Sequence, residues 1–395
     1  MIKNLFEVQL IFQKIIKDKR EIYRIHIAHT IRSIALSFVS IYVPVYLLTI
    51  GNTLTDVVVF YAIFHGFGLL FTLFVISPLI QKIGLVRIFQ LYYPMEILFY
   101  VSLYFMQDWH MPFGIVAMVG GMATFIYWVP LNILLVKHTD FDKMGTDLAT
   151  FFALPKILQV LNPLISVVMV YFVGFWPIFI IAILGLILSF IPLHGIKSHE
   201  SKLSLHWKET FAKIKKRKKL FFLESLDNVI EESHWYWSIY VYIMIGSLAV
   251  PGIVGSLSSI GGILFLFFIG KKANKDPHKL IIIAALCVIV VSVGRIFSHG
   301  QIMAYVLTLV GAFSMTFFLV PYFSYIYKSV KDKNEEEFII LREVPTVVGR
   351  MVVFGCILFT INQPQYFFIL PVVVAIILLI MFLFCKKEIT KLHTV

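Results

Sequence analysis

The sequence predicts an all-α polytopic membrane protein whose twelve transmembrane helices form two six-helix bundles, and three observations lead there. Of its 395 residues, 59% are hydrophobic and 14% charged, with a mean hydropathy of +0.90. A water-soluble core could not hide that much apolar surface. Apolar windows of about twenty residues, the length that crosses a hydrocarbon layer of roughly 30 Å, recur along the chain. Lys and Arg gather in every second segment between those windows and are missing from the rest.

Taken in order, residues 1–25 form a cytoplasmic amphipathic segment. It lacks the short apolar core and cleavage site of a signal peptide, so no processing is expected. Leu5, Val8, Phe12, Ile15 and Ile16 recur at helical spacing among Lys14, Lys17, Lys19 and Arg20. That pattern suits a helix on an anionic leaflet or one packed on its own protein. The first bundle, 26–195, holds windows at 26–49, 55–80, 86–106, 112–135, 149–173 and 175–195. A basic linker follows at 196–219, with Trp207, Phe211 and Ile214 on one helical face beneath six cations from Lys213 to Lys219. The second bundle, 220–385, holds windows at 220–246, 250–270, 279–298, 301–327, 338–361 and 365–385, and residues 386–395 form a tail.

Orientation follows from the cations. The N-terminal segment, every second loop and the tail together hold 29 of the 34 Lys and Arg residues, and the intervening loops hold none. The positive-inside rule then puts both termini in the cytoplasm of a cell carrying the protein in its plasma membrane. The net charge of +12 therefore reflects topology and implies no nucleic acid. Cys287, Cys356 and Cys385 lie in apolar windows without metal-ligand spacing and read as small hydrophobes.

Charges inside the windows carry the candidate chemistry. At about 100° per residue, Glu224, Asp227, Glu231, His234 and Ser238 of the seventh window share one stripe, with Trp235 and Tyr242 on the same side. Ionisable groups near a bilayer centre cost about 2.5 to 3.5 kcal/mol on insertion scales, so a stripe of them faces protein or water. A helix beginning only near Ser233 would instead leave the acids in a wet loop, but would strand Phe221, Phe222, Leu223 and Leu226 in water.

The first window carries His26, His29, Ser33, Ser37 and Ser40 on one side, with Arg32 about 100° away. The fifth and eleventh windows place Lys156 and Glu343 at corresponding positions, and Arg342 and Arg350 need anions that the seventh window can supply. That set reads either as a static ion-pair network or as one that breaks and reforms. Glu96 in the third window reads as an acid hydrogen-bonded to a neighbouring helix. Tyr127, Trp128, Trp235 and Tyr322 offer flat faces with polar tips, suited to a sugar, an aromatic solute or an amphiphile, or else to packing.

Two tight turns relate the halves. Ser77-Pro-Leu-Ile-Gln81-Lys82-Ile-Gly84-Leu-Val-Arg87 follows the second window, and Gly270-Lys-Lys-Ala-Asn274-Lys275-Asp276-Pro277-His-Lys279 follows the eighth, 193 residues later. Their pattern resembles the loop motif Gly-x-x-x-Asp-Arg-x-Gly-Arg-Lys of the major facilitator superfamily, and the six-plus-six topology extends the resemblance over the whole chain. Ser77 replaces the motif's glycine, and Gln81 and Asn274 replace its aspartate, which in the family helps latch the cytoplasmic side. The resemblance implies gating loops at these positions, with amides replacing the charged latch only in part. It also implies a central cavity lined by the first, fourth, seventh and tenth spans. The fourth window has no arginine, the fifth reads Asn162-Pro163, and the first lacks Glu-x-x-Glu-Arg, so neither a drug/proton antiporter nor a peptide transporter is implied.

The expectation is a monomeric secondary transporter that moves a small organic solute by alternating access. Coupling to protons, or to sodium, would run through Glu224, Asp227, Glu231 and His234, with Glu231 and His234 close enough along the helix to share a proton. Burial favours a protonated carboxyl and a neighbouring arginine an ionised one, so opening and closing such a site can load and release a proton. A lipid or amphiphile translocase of the same fold is the alternative, and a metal-dependent intramembrane hydrolase a weaker one, since no His-Glu-x-x-His spacing occurs. No nucleotide-binding loop occurs either, and no cofactor is expected.

Overall fold

The computed structural model describes residues 20–194, 196, 217–263, 266–330 and 335–384, and among them all regular structure is helical. Most of the N-terminal amphipathic segment, most of the basic linker and the tail lie outside the described residues.

The first span comprises Arg20–Leu36 and Val43–Thr49, joined through a 3-10 turn at Ser40–Tyr42 with a bend of 42°. Pro44 opens its second segment, where a missing N–H costs nothing. The second span runs from Leu54–Phe71 through a π-helical turn, Thr72–Ile76, into Ser77–Ile83. It starts at a capping box in which Thr53 and Asp56 satisfy each other's backbone amides. Leu85–Tyr104 is the third span and Phe113–His138 the fourth. The fifth breaks before Pro163 into Met144–Gln159 and Asn162–Phe172, and Trp176–Phe190 is the sixth. In the second half come Lys218–Ile245, the pair Val250–Ile263 and Leu266–Lys275, then Pro277–Ile296, Gln301–Val330, Glu335–Phe359 and Ile369–Phe384, as spans seven to twelve.

Among the described residues, seven helices are long and apolar enough to cross a membrane, or nine if each of two bent pairs is one span. The three outside that measure are the third, seventh and eleventh. They carry Glu96, the acids from Glu224 to Glu232, and the Arg342, Glu343 and Arg350 set. These spans are amphipathic toward the protein interior, so average hydropathy under-reports them. Large apolar side chains such as Phe172, Val290 and Phe359 are exposed on the outside, as a lipid-facing surface requires.

Packing follows a two-fold scheme. Each contact within the first half recurs in the second: first on fifth and sixth, second on fourth, and third on fourth and sixth are matched by seventh on eleventh and twelfth, eighth on tenth, and ninth on tenth and twelfth. The halves meet where the second span packs on the eleventh and the fifth on the eighth. At the end carrying the basic loops, Gly145 and Gly270 let the fifth and eighth spans cross closely. A Cβ on Gly270 would lie 2.6 Å from Ala149 Cβ and 2.8 Å from the Gly145 carbonyl oxygen. At the opposite, neutral end a Cβ on Gly252 would lie 2.2 Å from Val167 and 2.4 Å from the Pro163 carbonyl oxygen. Small residues at both ends of one helix pair permit this backbone approach.

Candidate functional site

A cavity of about 270 Å³ lies between the halves, lined by the fourth and fifth spans of the first and the seventh, eighth, tenth and eleventh of the second. Its wall carries Lys156, Glu231, Arg342, Glu343 and Arg350, with Phe125, Trp128, Phe152 and Phe323 as aromatic surfaces and Asn132, Asn228, Thr316 and Thr346 as polar ones. The expectation that spans one, four, seven and ten surround this space holds for three of them. The first span turns its striped face elsewhere: Arg32, Ser33, Ser37 and Ser40 line a separate cavity of about 340 Å³ with Pro163, Gly255 and Ser259. That space lies between spans one, five and eight.

The arginines of the eleventh span find their anions on the seventh. Arg342 Nε lies 3.6 Å from Glu224 Oε2, and Arg342 Nη1 donates to the Tyr327 hydroxyl at 3.2 Å. That hydroxyl donates to Asn132 Oδ1 at 3.1 Å, which ties the pair to the first half. Arg350 Nε lies 3.3 Å from Glu232 Oε2 and Arg350 Nη2 lies 3.9 Å from Glu231 Oε2, while its Nη1 donates to His65 Nδ1 of the second span at 3.0 Å. Glu231 is the open member, with 41% of its side chain exposed toward the cavity. Asp227 is buried beside Glu224, Glu231 and both arginines, and its Oδ1 has no hydrogen-bond partner. Neither Glu343 nor Lys156 has an ion pair among the described residues, although both face the cavity. Lys156 fits there because Gly262 opposite has no side chain; a Cβ would lie 2.5 Å from Lys156 Nζ.

His234 departs from the expected arrangement. Its Nε2 lies 2.6 Å from the Gly311 carbonyl oxygen and donates to it, and its Nδ1 accepts from Arg295 Nη2 at 3.0 Å. The ring is therefore turned toward the ninth and tenth spans, and no bond joins it to Glu231 among the described residues. The acids do not converge with it either: no three His, Cys, Asp or Glu side chains are placed to share a metal ion among the described residues.

In the first half, Arg32 donates to the Tyr92 hydroxyl and lies 3.7 Å above the Tyr127 ring. Glu96, also buried, is its nearest acid. His29 Nδ1 is bonded to the Tyr127 hydroxyl at 2.6 Å, and its ring stacks on Phe151. Tyr127 thus belongs to the interior of the first bundle, while its neighbour Trp128 reaches the cavity. Trp235 packs edge-on against Tyr61 of the second span, and Tyr322 stacks on Phe318 beside Glu224 and Asp227. Neither lines the cavity.

The two loops expected to gate differ. Asn274 Oδ1 accepts from the Gly145 and Thr146 amides at 2.7 and 3.3 Å, and its Nδ2 donates to Thr146 Oγ1 at 2.7 Å. One amide side chain thus caps the N-terminus of the fifth span from across the interface. Gly270 lies at the crossing described above, and Lys275 is exposed. In the first half, Gln81 and Lys82 are exposed, Ser77 is buried, and Gly84 turns the chain with φ of 81°, a conformation that glycine adopts freely. Lys137 and Glu336 add an ion pair between the halves at this basic end. At the neutral end the Tyr42 hydroxyl donates to the Leu248 carbonyl at 3.4 Å. The halves therefore touch on both sides of the cavity.

Glu232, His65 and Arg295 were not singled out in the sequence. Glu232 lies one residue outside the acid stripe, whereas His65 and Arg295 are isolated polar residues in apolar spans, which is itself the signal that marks them.

No protein-family model and no curated protein matches the sequence. Solved structures match its shape. The E. coli fucose:proton symporter FucP aligns with a TM-score of 0.66 at 12% identity over 92% of this chain and 98% of that one. A bacterial homologue of the iron transporter ferroportin, in an outward-facing state, gives 0.69 at 9% identity over 92% and 98%. The nucleoside transporter NupG gives 0.63 at 12% identity over 94% and 99%. Agreement of this extent over nearly the full length of each chain identifies the architecture: the chain is a multi-pass membrane protein with the major facilitator superfamily fold.

Proposed function

We propose that this chain is a secondary transporter in which the two halves rock about the 270 Å³ cavity and carry a small organic solute, coupled to protons through the carboxylates beside it. The supporting observation is a charge imbalance. Glu224, Asp227, Glu231, Glu232 and Glu343 stand against Lys156, Arg342 and Arg350, so two negative charges have no cation to answer them. Uncompensated charge in a low-dielectric interior takes up protons or binds cations. The spread of the acids favours protons over sodium, because they do not close into one oxygen cage. Of the five, Glu231 has the most suitable position: open to the cavity and within reach of Arg350, so that filling or opening the cavity changes its surroundings.

The contacts at either end of the cavity supply the gates. Asn274 on the fifth span and Lys137 with Glu336 hold the basic end, and Tyr42 with Leu248 and Gly252 against Pro163 hold the neutral end. Alternating access requires each set to open while the other stays closed. The cavity's aromatic walls and scattered amides and hydroxyls suit a solute with both a flat or apolar face and polar groups. The fucose:proton symporter among the structural neighbours is a precedent for such a pairing of solute and proton.

The reading is tested with purified protein in liposomes, first against a panel of sugars, amino acids, aromatic compounds and lysolipids to find a transported solute. Glu231→Gln should then still exchange that solute when it is present on both sides, yet fail to accumulate it under an imposed pH gradient. Wild-type accumulation by Glu231→Gln would remove Glu231 from the coupling role, and the absence of any pH effect in the unmodified protein would remove proton coupling altogether.

A further inference from the structure

A second polar site lies inside the second bundle, away from the central cavity. Arg295, in the last turn of the ninth span, is only 3% exposed, and no carboxylate pairs with it among the described residues. One face of its guanidinium lies 4.7 Å from the Trp237 ring, and Nη2 donates to His234 Nδ1. His234 spends its other nitrogen on the Gly311 carbonyl, so the imidazole is neutral and supplies a lone pair but no charge. The carbonyl end of the ninth helix adds only a partial negative charge. Arg295 Nε has no partner.

Arg295 lines a small cavity of about 10 Å³ together with Ser233, His234, Ser292, Gly311, Ser314 and four apolar residues. Ser314 Oγ is buried and likewise has no partner. Gly311 lets the Arg295 and His234 side chains approach the tenth span: a Cβ there would lie 2.5 Å from Arg295 Nη2 and 3.0 Å from His234 Cε1. Arg295, Ser314 and Ser292 thus border a void that admits one particle of about the size of a water molecule. Lys156 adds a second cation acting on His234.

We propose that this cavity binds a single monoatomic anion, chloride under physiological conditions, as the counter-ion of Arg295. A water molecule would satisfy the hydrogen bonds but leave the buried charge unanswered, and a buried cation is stable only when paired. Sulfate and phosphate exceed the volume. The site stabilises the packing of spans seven, nine and ten and is separate from the transport cavity.

The test is thermal unfolding of the full-length purified protein at constant ionic strength, in chloride against gluconate. Chloride should raise the unfolding temperature in a saturable way, bromide should substitute for it, and sulfate should not. Ser314→Ala should raise the half-saturating chloride concentration about tenfold, the effect of losing one hydrogen bond to a charged group. Ser314→Asp should supply a tethered carboxylate, so that stability no longer responds to chloride. Equal unfolding temperatures in chloride and gluconate would show that the cavity holds water. A chloride response left unchanged by Ser314→Ala would place the ion elsewhere, and either result overturns the proposal.

Discussion

Arg350 sits between Glu232 and Glu231 of the seventh span and His65 of the second, so one side chain joins the two halves and the acid cluster. Removing one partner of a buried pair leaves the other charge alone, at a cost of about 3 to 5 kcal/mol, whereas removing both is far milder. Arg350→Met should therefore lower expression and thermal stability sharply. Adding Glu232→Gln should restore much of the loss and adding Glu343→Gln should not, because only Glu232 is close to Arg350 Nε. Additive effects in both double variants would refute this pairing. The residue scale is also where sequence reading stopped short. A 100° helical wheel correctly gathers Glu224, Asp227 and Glu231, but it cannot say which neighbouring span each acid meets, and so it passed over Glu232. It placed His234 with the acids for the same reason, although the ring rotates toward Arg295. The resemblance makes Asn274 a partial substitute for a charged latch. Its amide both accepts and donates, and so engages two residues of the fifth span at once. Asn274→Ala leaves two helix-terminal amides without a side-chain cap, worth about 0.5 to 2 kcal/mol. The basic end should open more readily, measured as faster alkylation of a cysteine introduced at Thr316 in the cavity. Asn274→Asp, which keeps the acceptor and adds a favourable charge at a helix N-terminus, should leave that rate near the starting value.

Among the elements, the fifth and eighth spans form a seam between the halves, along which the proposed transport cycle would part them, and glycine marks both of its ends. Gly270 meets Ala149 and Gly145 at the basic end, and Gly252 meets Pro163 and Val167 at the neutral end. A larger side chain at either place overpacks the crossing by about 1 to 3 kcal/mol, and the strain is relieved when that end opens. Gly270→Val should accordingly make a cavity cysteine at Thr316 more reactive from the basic side, and Gly252→Val from the neutral side. The same direction of change in both variants would mean that they loosen the fold and do not bias the gates. The correspondence of halves was legible because the turns repeat 193 residues apart. The breaks in the first, fifth and eighth spans were not. A window of apolar residues reads the same whether a helix is straight or bent, and Ser33, Ser37 and Ser40 of the first span line a cavity of their own.

For the whole molecule, the twelve-span count was legible even though three spans carry buried charges, because hydrophobic windows and the alternation of basic loops are independent signals. Side-chain pairing adds nothing to the question of which end faces the cytoplasm, since the fold is symmetric enough to sit either way up. The sequence answers it through charge: Lys82, Lys143, Lys271 and Lys275 are exposed at one end, while the loops around Asp108 and His299 at the other contain no Lys or Arg. Cations near a membrane surface resist translocation, so the basic end should stay inside. In a background without native cysteines, an impermeant thiol reagent added to intact cells should label a cysteine at Asp108 or at His299, both exposed. Neighbouring Ser298 is a poor reporter because it is only 2% exposed. The same reagent should reach cysteines at Lys82, Lys143 and Lys271 only after the membrane is permeabilised. Labelling of Lys271→Cys in intact cells, with His299→Cys protected, would invert the molecule in the membrane. The contact that Asn274 makes would then face outward, and the direction of the proposed proton-driven transport would reverse with it.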